Sequence, residues 1–320
     1  MSTPIATIAV TGATGFIGTH LVRALRRDGA HVKALTRKAP HMPDDDLPGT
    51  LTWVPGHLEN ETALRELVAG VDGVIHLAGA IKALGRNDFF EHNVNGTRRL
   101  AAAAASQPEP PRFIHVSSLA AREPRLSNYG LSKREAEKAL KPFRDRMSIS
   151  IVRPPAVYGP GDRETLRLFQ MAARGFALVP PGPEARLSLI HVEDVVSALL
   201  NLLPWRDDPG EPLEIDDGHP QGHDWDGVIA AVSEAVQRTP KIIPLPAPAL
   251  YLAGGIGTLT ALITQKPTVL SWDKVPEMLH CDWVARGGGV PGWTPAWDIA
   301  RGFKNTANWA ISQGLLKSYS

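Results

Sequence analysis

The sequence predicts an α/β fold, a doubly wound parallel sheet followed by a smaller C-terminal α/β lobe. Three observations carry that expectation. Strand-like and helix-like runs alternate through the first 160 residues. Three glycines, Gly12, Gly15 and Gly18, follow the first strand at three-residue spacing. Beyond Arg153 the alternation loosens, as Pro154, Pro155, Pro160, Pro180, Pro181 and Pro183 lengthen the loops. Alternation of the first kind requires right-handed crossovers between parallel strands.

The elements follow in order. Ile5, Ile8, Ala9 and Val10 read as a short buried strand, and a helix-forming run spans 20–27. Between them, Gly12 permits a tight turn, Gly15 lets the backbone approach phosphates, and Gly18 lets the helix pack close to the strand. With the helix dipole favouring an anion, the unit is expected to hold a pyrophosphate, as in a Rossmann fold. A second strand covers His31–Thr36 and a third 51–54; 61–69 is an amphipathic helix and 71–78 a fourth strand. A long helix over 88–105 ends in five alanines, and Gln107 to Pro111 form a loop. A fifth strand at 112–117, a helix at 128–140 and a sixth strand at 149–153 complete the pattern.

The dinucleotide-binding Rossmann domain is therefore expected over 1–160, its sheet and helices continuing in part of 190–230. Residues 161–320 form mainly a substrate-binding lobe. Five of the eight tryptophans lie after residue 270, where they are expected to pack that lobe. No internal repeat is visible.

Composition bounds the function. Over 320 residues, 34 Lys and Arg against 33 Asp and Glu leave a net charge of +1, which gives no reason to expect nucleic acid or a charged membrane as partner. Apolar content of 43% and charged content of 21% are ordinary for a soluble globular chain. Cys281 is the single cysteine, so no intrachain disulfide forms, and a cytoplasmic location is expected. The N-terminus shows no basic region followed by an apolar one, and a signal peptide is not expected. One segment stands apart: 242–265 carries no charged residue, and 245–263 is rich in Leu, Ala, Ile and Gly. Pro244, Pro246 and Pro248 break its start and Gly254, Gly255 and Gly257 weaken its middle, so it is expected to be a loop plus a buried or lid-like helix over an apolar pocket. Membrane insertion is disfavoured.

Chemistry concentrates at Tyr129 and Lys133. At the start of a helix these i and i+4 positions share a face about one turn apart. An ammonium beside a phenol stabilises the phenolate, so Tyr129 can exchange a proton with a substrate oxygen near neutral pH. Ser117 and Ser118 stand at the carboxyl end of the fifth strand, where open α/β sheets place their ligands. One hydroxyl can hold the substrate oxygen there while the other caps the strand end. No grouping with metal-ligand spacing accompanies them.

Read together, Thr-Gly-Ala-Thr-Gly-Phe-Ile-Gly (11–18), His76-Leu-Ala-Gly, Asn93-Val-Asn-Gly-Thr, Val116-Ser-Ser, Tyr129-x-x-x-Lys133, Arg153-Pro-Pro-Ala-Val-Tyr-Gly-Pro-Gly and His191-Val-Glu-Asp resemble the extended short-chain dehydrogenases/reductases. The nearest groups are the NAD-dependent epimerases/dehydratases and the 3β-hydroxysteroid dehydrogenase-like enzymes, and Gly292-Trp-Thr-Pro and Trp309 extend the resemblance to the C-terminus. It implies a catalytic triad of Ser118, Tyr129 and Lys133, with Tyr129 as general acid/base, Lys133 also on the nicotinamide ribose, and Ser118 orienting substrate. It places Gly12, Thr14, Gly15, Phe16, Ile17 and Gly18 at the pyrophosphate, and Thr36, Arg37, Lys38, His57 and Leu58 at the adenosine end. Leu77, Ala78 and Gly79 fall beside the adenosine side, Asn93 and Ser117 support the pocket, and Pro154, Ala156 and Val157 fall near the nicotinamide.

Three departures refine this. Arg37 and Lys38 follow the second strand where an NAD-preferring member carries an acidic residue; cations there attract a 2′-phosphate, so NADP is favoured over NAD. His57 replaces the usual Asp near the adenine. Only ten residues separate Ser118 from Tyr129, and Leu187 stands where many sugar-nucleotide enzymes have an arginine, with Arg186 one position away. A weakly charged or hydrophobic small-molecule substrate is therefore expected over a nucleotide sugar.

The activity the resemblance implies is hydride transfer between NAD(P) and a secondary alcohol or ketone. The alternatives are a nucleotide-sugar epimerase/dehydratase that retains its cofactor, and a non-catalytic dinucleotide-binding scaffold or sensor. A homodimer is common in the resembled family.

Overall fold

A computed structural model describes residues 6–39, 46–182, 184–207, 209–268, 270–286 and 289–317; Ile5 and Pro183 lie outside them. In chain order the elements are β1 (Thr7–Thr11), α1 (Phe16–Arg27), β2 (His31–Thr36), β3 (Leu51–Pro55), α2 (Glu61–Val68), β4 (Gly73–His76) and α3 (Arg86–Phe89). A π-helical turn (Phe90–Asn95) leads into α4 (Gly96–Ala105) and β5 (Arg112–Val116). A 3-10 turn (Leu119–Arg122), α5 (Asn128–Ala139) and β6 (Ile149–Arg153) follow. Then come β7 (Ala156–Tyr158), α6 (Leu166–Ala173), β8 (Phe176–Val179), β9 (Arg186–Leu187), β10 (Leu189–His191), α7 (Val192–Leu202) and β11 (Leu213–Glu214). The chain ends with α8 (Trp225–Val236), β12 (Lys241–Pro244), α9 (Ala247–Thr264), a 3-10 turn (Trp272–Lys274), α10 (Val275–Leu279), β13 (Asp282–Trp283) and α11 (Ile299–Ser312).

Two compact units result, Met1–Arg153 with Val196–Leu213, and Pro154–Val195 with Glu214–Ser320. In the first, the seven-stranded sheet has the order β3-β2-β1-β4-β5-β6-β11. The pairings from β3 through β6 are all parallel. Strand order reverses between β1 and β4, the crevice where doubly wound sheets bind their ligands. Strands β4, β5 and β6 are buried at every residue, as a sheet covered on both faces requires.

The core explains the alanine run. Ala101, Ala104 and Ala105 of α4 are buried with Leu64 and Leu67 of α2 and with Val74, Phe113 and Ile151 of the sheet. Small side chains let this helix lie close to its neighbours. Asn60 caps α2, its side chain accepting from Ala63 N at 3.1 Å. Three elements differ from expectation by two residues or more at an end, and one is β4, which spans only Gly73–His76 of the expected 71–78. Helix α1 starts directly at Phe16 because Gly15 serves as its N-cap. The helix expected over 88–105 begins at Arg86 and contains the π turn, which adds a residue to one turn and re-aims α4 beyond it.

The second unit holds three short parallel pairs, β7 with β10, β8 with β12, and β9 with β13. Tyr158, Phe169, Leu189, Val232, Phe303 and Ala307 form its core. A Cβ on Gly302 would stand 2.3 Å from the Tyr158 hydroxyl oxygen, so only glycine lets α11 approach that ring. Trp309 packs against this core and Trp297 stacks on His191 at 4.2 Å, whereas Trp272 is 56% exposed.

The 242–265 segment corrects the sequence reading. Its first residues, through Pro244, belong to β12, and Pro246 and Pro248 sit at the start of α9, Pro246 as N-cap, where they break nothing. The glycines do not weaken the helix but seat it: Cβ atoms on Gly254 and Gly257 would meet Ser271 O at 3.0 Å and Leu270 O at 2.0 Å. The helix is not buried. Leu252, Ile256, Leu259, Leu262 and Ile263 are all more than half exposed.

Candidate active site

The glycine loop closes on the switch point of the sheet. Gly12 has φ +74°, a left-handed value that favours glycine, and a Cβ there would lie 2.7 Å from Ala78 N and 2.9 Å from Leu77 C. Its carbonyl accepts from Gly15 N at 3.0 Å. A Cβ on Gly18 would stand 2.0 Å from that same carbonyl oxygen. Thus β1, the turn and α1 are in backbone contact, and the turn meets Leu77 and Ala78 beyond β4. No acidic residue occupies the first turn of α1, and Gly15 offers no side-chain cap. The first amides of the helix are therefore open to an anion without competition from an acidic side chain or a cap, beside a turn that side chains at Gly12 or Gly18 would fill. Thr14 is exposed beside it, and Phe16 and Ile17 are half-buried, Phe16 set edge-on to His20.

Helix α5 carries the candidate proton-transfer residues. Ser127 caps it by accepting from Gly130 N at 2.9 Å. Tyr129 is half-buried in its first turn, its ring 6.1 Å from that of Phe89. One turn on, Lys133 is buried and donates from Nζ to Val116 O at 2.9 Å. Burial brings the Lys133 ammonium down to about 8, although Glu137 opposes that shift. A Cβ on Gly79 would approach Lys133 Nζ to 3.7 Å and Asn93 Oδ1 to 3.1 Å.

The two serines separate. Ser117 is buried and donates to Glu137 Oε1 at 2.6 Å. Arg153 grips the same carboxylate, Nε to Oε1 at 2.8 Å and Nη2 to Oε2 at 2.7 Å. Ser117 thus ties β5 to α5 and β6. Ser118 is half-buried and accepts from Ala120 N at 3.2 Å, capping the 3-10 turn. Its hydroxyl proton finds no acceptor among the described residues. That turn lies against α5, for a Cβ on Gly130 would be 2.7 Å from Ala120 O. Ser118 and Tyr129 are thereby carried on touching segments.

Asn93, inside the π turn, is a structural clamp. Its Oδ1 accepts from Ala80 N at 2.7 Å, and its Nδ2 donates to Ala80 O at 3.0 Å and to Ser132 Oγ at 2.8 Å. Ser132 in turn donates to Tyr129 O at 2.8 Å. The chain of bonds runs from the loop after β4 to the backbone of the candidate acid/base. Beneath it, His76 is buried between Thr11 Oγ1, 2.6 Å from Nδ1, and Thr97 Oγ1, 2.9 Å from Nε2. Burial, then the Lys133 charge, lowers His76 to about 3, so it stays neutral. His115 is pushed down for the same reasons.

At the far end of β2, Gly56 N donates to Thr36 O at 2.9 Å, which joins the ends of β2 and β3. Thr36 Oγ1 donates to Lys38 O at 2.8 Å, folding the chain back. Arg37 and Lys38 are exposed, and neither pairs with a carboxylate among the described residues. His57 is also exposed and stands 3.9 Å from Glu59, whereas Leu58 packs under Gly96, where a Cβ would meet it at 2.7 Å.

In the second unit, Pro154 is buried, Ala156 is exposed and Val157 half-buried on β7. Arg186 pairs with Asp224 at 2.7 Å, and Leu187 belongs to β9, backbone-paired with Trp283. The arginine nearest the sugar-nucleotide position is thus engaged within its own unit. Sequence reasoning missed Glu137 and Ser132. Glu137 lies four residues after Lys133 on the same helix face, which was the available signal.

A sheet with this strand order, a side-chain-free cradle at its switch point, and a tyrosine one turn ahead of a buried lysine define a dinucleotide-dependent enzyme of the extended short-chain dehydrogenase/reductase type. The comparisons agree. The model of the NAD dependent epimerase/dehydratase family matches residues 8–215, and the chain belongs to that family. The ceramide reductase of Caulobacter vibrioides is 39% identical over 311 residues, 97% of this chain and 96% of that protein. The UDP-glucose 4-epimerase of Vibrio cholerae is 25% identical, covering 94% of each. The fold is shared with the UDP-glucuronic acid 4-epimerase of Bacillus cereus, solved in complex with NAD, at a TM-score of 0.68 and 19% identity over 98% of both chains.

Proposed function

We propose that this protein is a cytoplasmic NADP-dependent reductase that acts on the carbonyl of a ceramide-like lipid, a long-chain, weakly charged N-acyl amino alcohol in its reduced form. The observation that carries the reading is the 39% identity to a ceramide reductase along 97% of the chain. The engagement of Arg186 by Asp224 agrees, since a nucleotide-sugar diphosphate needs a cation of its own.

Gly12, Thr14, Gly15, Phe16, Ile17 and Gly18 would hold the pyrophosphate on the open end of α1. Leu77, Ala78 and Gly79 would line the adenosine side, with Asn93 and Ser117 in support, while Thr36, His57 and Leu58 would flank the adenine. Arg37 and Lys38 would take the 2′-phosphate. Pro154, Ala156 and Val157 would border the nicotinamide. When bound, the reduced nicotinamide supplies a hydride to the carbonyl carbon. Ser118, whose proton is uncommitted, donates to the carbonyl oxygen and stabilises the developing alkoxide. Tyr129 delivers its phenolic proton to that oxygen, completing the alcohol. Lys133 in its ammonium form stabilises the phenolate left behind, at the expense of its own burial.

The test is turnover of a 3-keto ceramide analogue in mixed micelles with NADPH and, separately, NADH. Consumption of NADPH with formation of the alcohol, lost in Tyr129→Phe by about 10²–10⁴-fold, is the expected result. Interconversion of UDP-sugars with copurifying dinucleotide and no net cofactor turnover would overturn it in favour of an epimerase. Dinucleotide binding with neither activity would leave a non-catalytic scaffold.

A further inference from the structure

We propose that α9 docks this protein on the surface of a bilayer bearing anionic headgroups, lying in the interface with its apolar face down. The inference rests on the lipid-substrate reading for its purpose, but its geometry is independent of that reading.

Helix α9 has two opposite faces of different kinds. Leu250, Gly254, Gly257 and Ala261, spaced by four, three and four residues, make one stripe; Leu250, Gly254 and Ala261 are buried. That stripe seats the helix on the following segment. Gly254 and Gly257 approach the backbone of Ser271 and Leu270, and Thr258 Oγ1 accepts from Trp272 N at 2.9 Å. The opposite stripe repeats the same spacing with Leu252, Ile256, Leu259 and Ile263, which are 67%, 59%, 59% and 74% exposed. Leu262 adds a fifth large apolar side chain at 55%.

Single exposed leucines are ordinary, but a continuous stripe of this kind marks a surface that is covered in use. Its surroundings indicate the cover. No charged residue occurs from Ile242 through Gln265, and the two residues that bracket the segment, Lys241 and Lys266, are both exposed cations. Neither pairs with a carboxylate among the described residues. An apolar face with Lys266 two residues past its end, and Lys241 at the start of the strand that leads into it, complements hydrocarbon beneath an anionic headgroup layer. Tyr251 and Trp272 pair at 4.9 Å along the helix edge, amphipathic rings of the type that settle at headgroup depth.

A spanning arrangement does not fit. The 18 residues reach about 27 Å, and the glycine stripe is held by protein along its length. One side packed and one side apolar is the geometry of a helix lying in the interface. Such docking departs from the expectation that membrane is no partner: that expectation rests on the net charge of the whole chain, whereas the proposed contact is confined to α9.

The experiment is co-sedimentation of the full-length protein, without cofactor or substrate, with vesicles of 3:1 phosphatidylethanolamine to phosphatidylglycerol. Wild type is expected to bind. Leu259→Asp/Ile263→Asp is expected to bind at least tenfold more weakly while keeping the wild-type melting temperature, since both side chains are exposed. Lys241→Glu/Lys266→Glu is expected to weaken binding by about fivefold or more per site. The apolar variant should retain turnover of a short-chain, micellar substrate and lose it selectively on vesicle-embedded substrate. Wild type that stays in the supernatant overturns the proposal whatever the enzyme's substrate proves to be. So does a dimer, seen by sedimentation velocity, that Leu259→Asp/Ile263→Asp dissociates, for then a second copy covers the face. Vesicle binding with no ketoreductase activity overturns only the proposed reaction.

Discussion

Lys133 donates to the carbonyl oxygen of Val116, 2.9 Å from Nζ, while buried in the protein. Its ammonium sits at about 8, below the ordinary lysine value, because burial disfavours the charge more than Glu137 restores it. For an amine with a lowered folded-state value, the unfolded chain binds more protons between that value and the ordinary one, so stability rises as pH climbs from about 8 towards 10.5. Lys133→Met removes that proton. The variant is expected to melt higher than wild type at pH 7 and to lose the alkaline gain in stability. Its carbonyl-reduction rate should drop by about 10²–10⁴-fold, with the alkaline limb near pH 8 gone. A limb that persists in the methionine variant would assign the titration to another group.

The Asn93 clamp predicts a different loss. Its three side-chain bonds fasten the loop at Ala80 to Ser132 on α5. Asn93→Ala leaves the Ala80 amide and carbonyl unsatisfied, at about 1–3 kcal/mol each if water does not reach them. Dinucleotide affinity, read by fluorescence titration, should fall more than turnover at saturating cofactor. Asn93→Asp keeps an acceptor for Ala80 N but has no donor for Ala80 O or Ser132, so it should recover only part of the loss. Equal affinities in all three proteins would separate the clamp from the cofactor site.

The contrast between Gly12 and Asn93 shows how much could be read in advance. A positive φ and a backbone contact of 2.7 Å admit only glycine, so Gly12 announces its geometry in its identity. Asn93 acts through a π turn, a one-residue change of helical phase that no residue type specifies, and its partners lie 13 and 39 positions away. The alternation of strands and helices, dictated by burial on both sheet faces, was legible for the same reason as Gly12. Segment 242–265 was legible as apolar, but which side of α9 meets protein depends on backbone from Leu270 to Ser271 folding back over its glycines. Apolarity alone does not distinguish a buried helix from a covered one.

The buried ion pair of Arg153 and Glu137 predicts a stability effect with a sign that depends on how it is broken. Both side chains are under a tenth exposed, and the guanidinium engages the carboxylate through two nitrogens. Arg153→Met leaves the buried carboxylate with Ser117 and only the more exposed Arg134, 3.3 Å from Oε2, as its remaining cation, and should cost up to about 3 kcal/mol. Glu137→Gln keeps the shape and the acceptor for Ser117 but removes the negative charge that Arg153 meets through two nitrogens, and should cost a similar amount. Replacing both by apolar residues should recover most of the loss. Urea midpoints of the four proteins measure this; additive single losses in the double variant would mean the two groups are not coupled.

Gly18→Ala tests the cradle itself. The new Cβ would be driven to 2.0 Å from Gly12 O, a backbone atom that cannot swing aside as a side chain can. Helix α1 must then move off β1, taking its open amides away from the proposed pyrophosphate position. Dinucleotide binding should fall by at least about tenfold, or 1.4 kcal/mol. Gly29→Ala is the control: nothing stands within 4 Å of its Cβ, so any cost there is confined to the strain of φ +86°. It should change stability without changing cofactor affinity.

The proposed preference for NADP rests on Arg37 and Lys38. Thr36 folds the chain back through its bond to Lys38 O at 2.8 Å, so the two cations leave the carboxyl edge of β2 together. Both are exposed and unpaired with carboxylates among the described residues, so no acid neutralises them before a ligand arrives. A ribose 2′-phosphate brings charge that an exposed guanidinium can meet with two parallel bonds. Arg37→Asp inverts that arrangement, offering a carboxylate to ribose hydroxyls and repelling the phosphate. The ratio of kcat/KM for NADPH over NADH should fall by at least about tenfold, which is 1.4 kcal/mol. Most of the change should appear as weaker NADPH binding, and salt should diminish it because the site is open to solvent. An unchanged ratio would mean that both cations are merely solvated and that the dinucleotide is selected elsewhere.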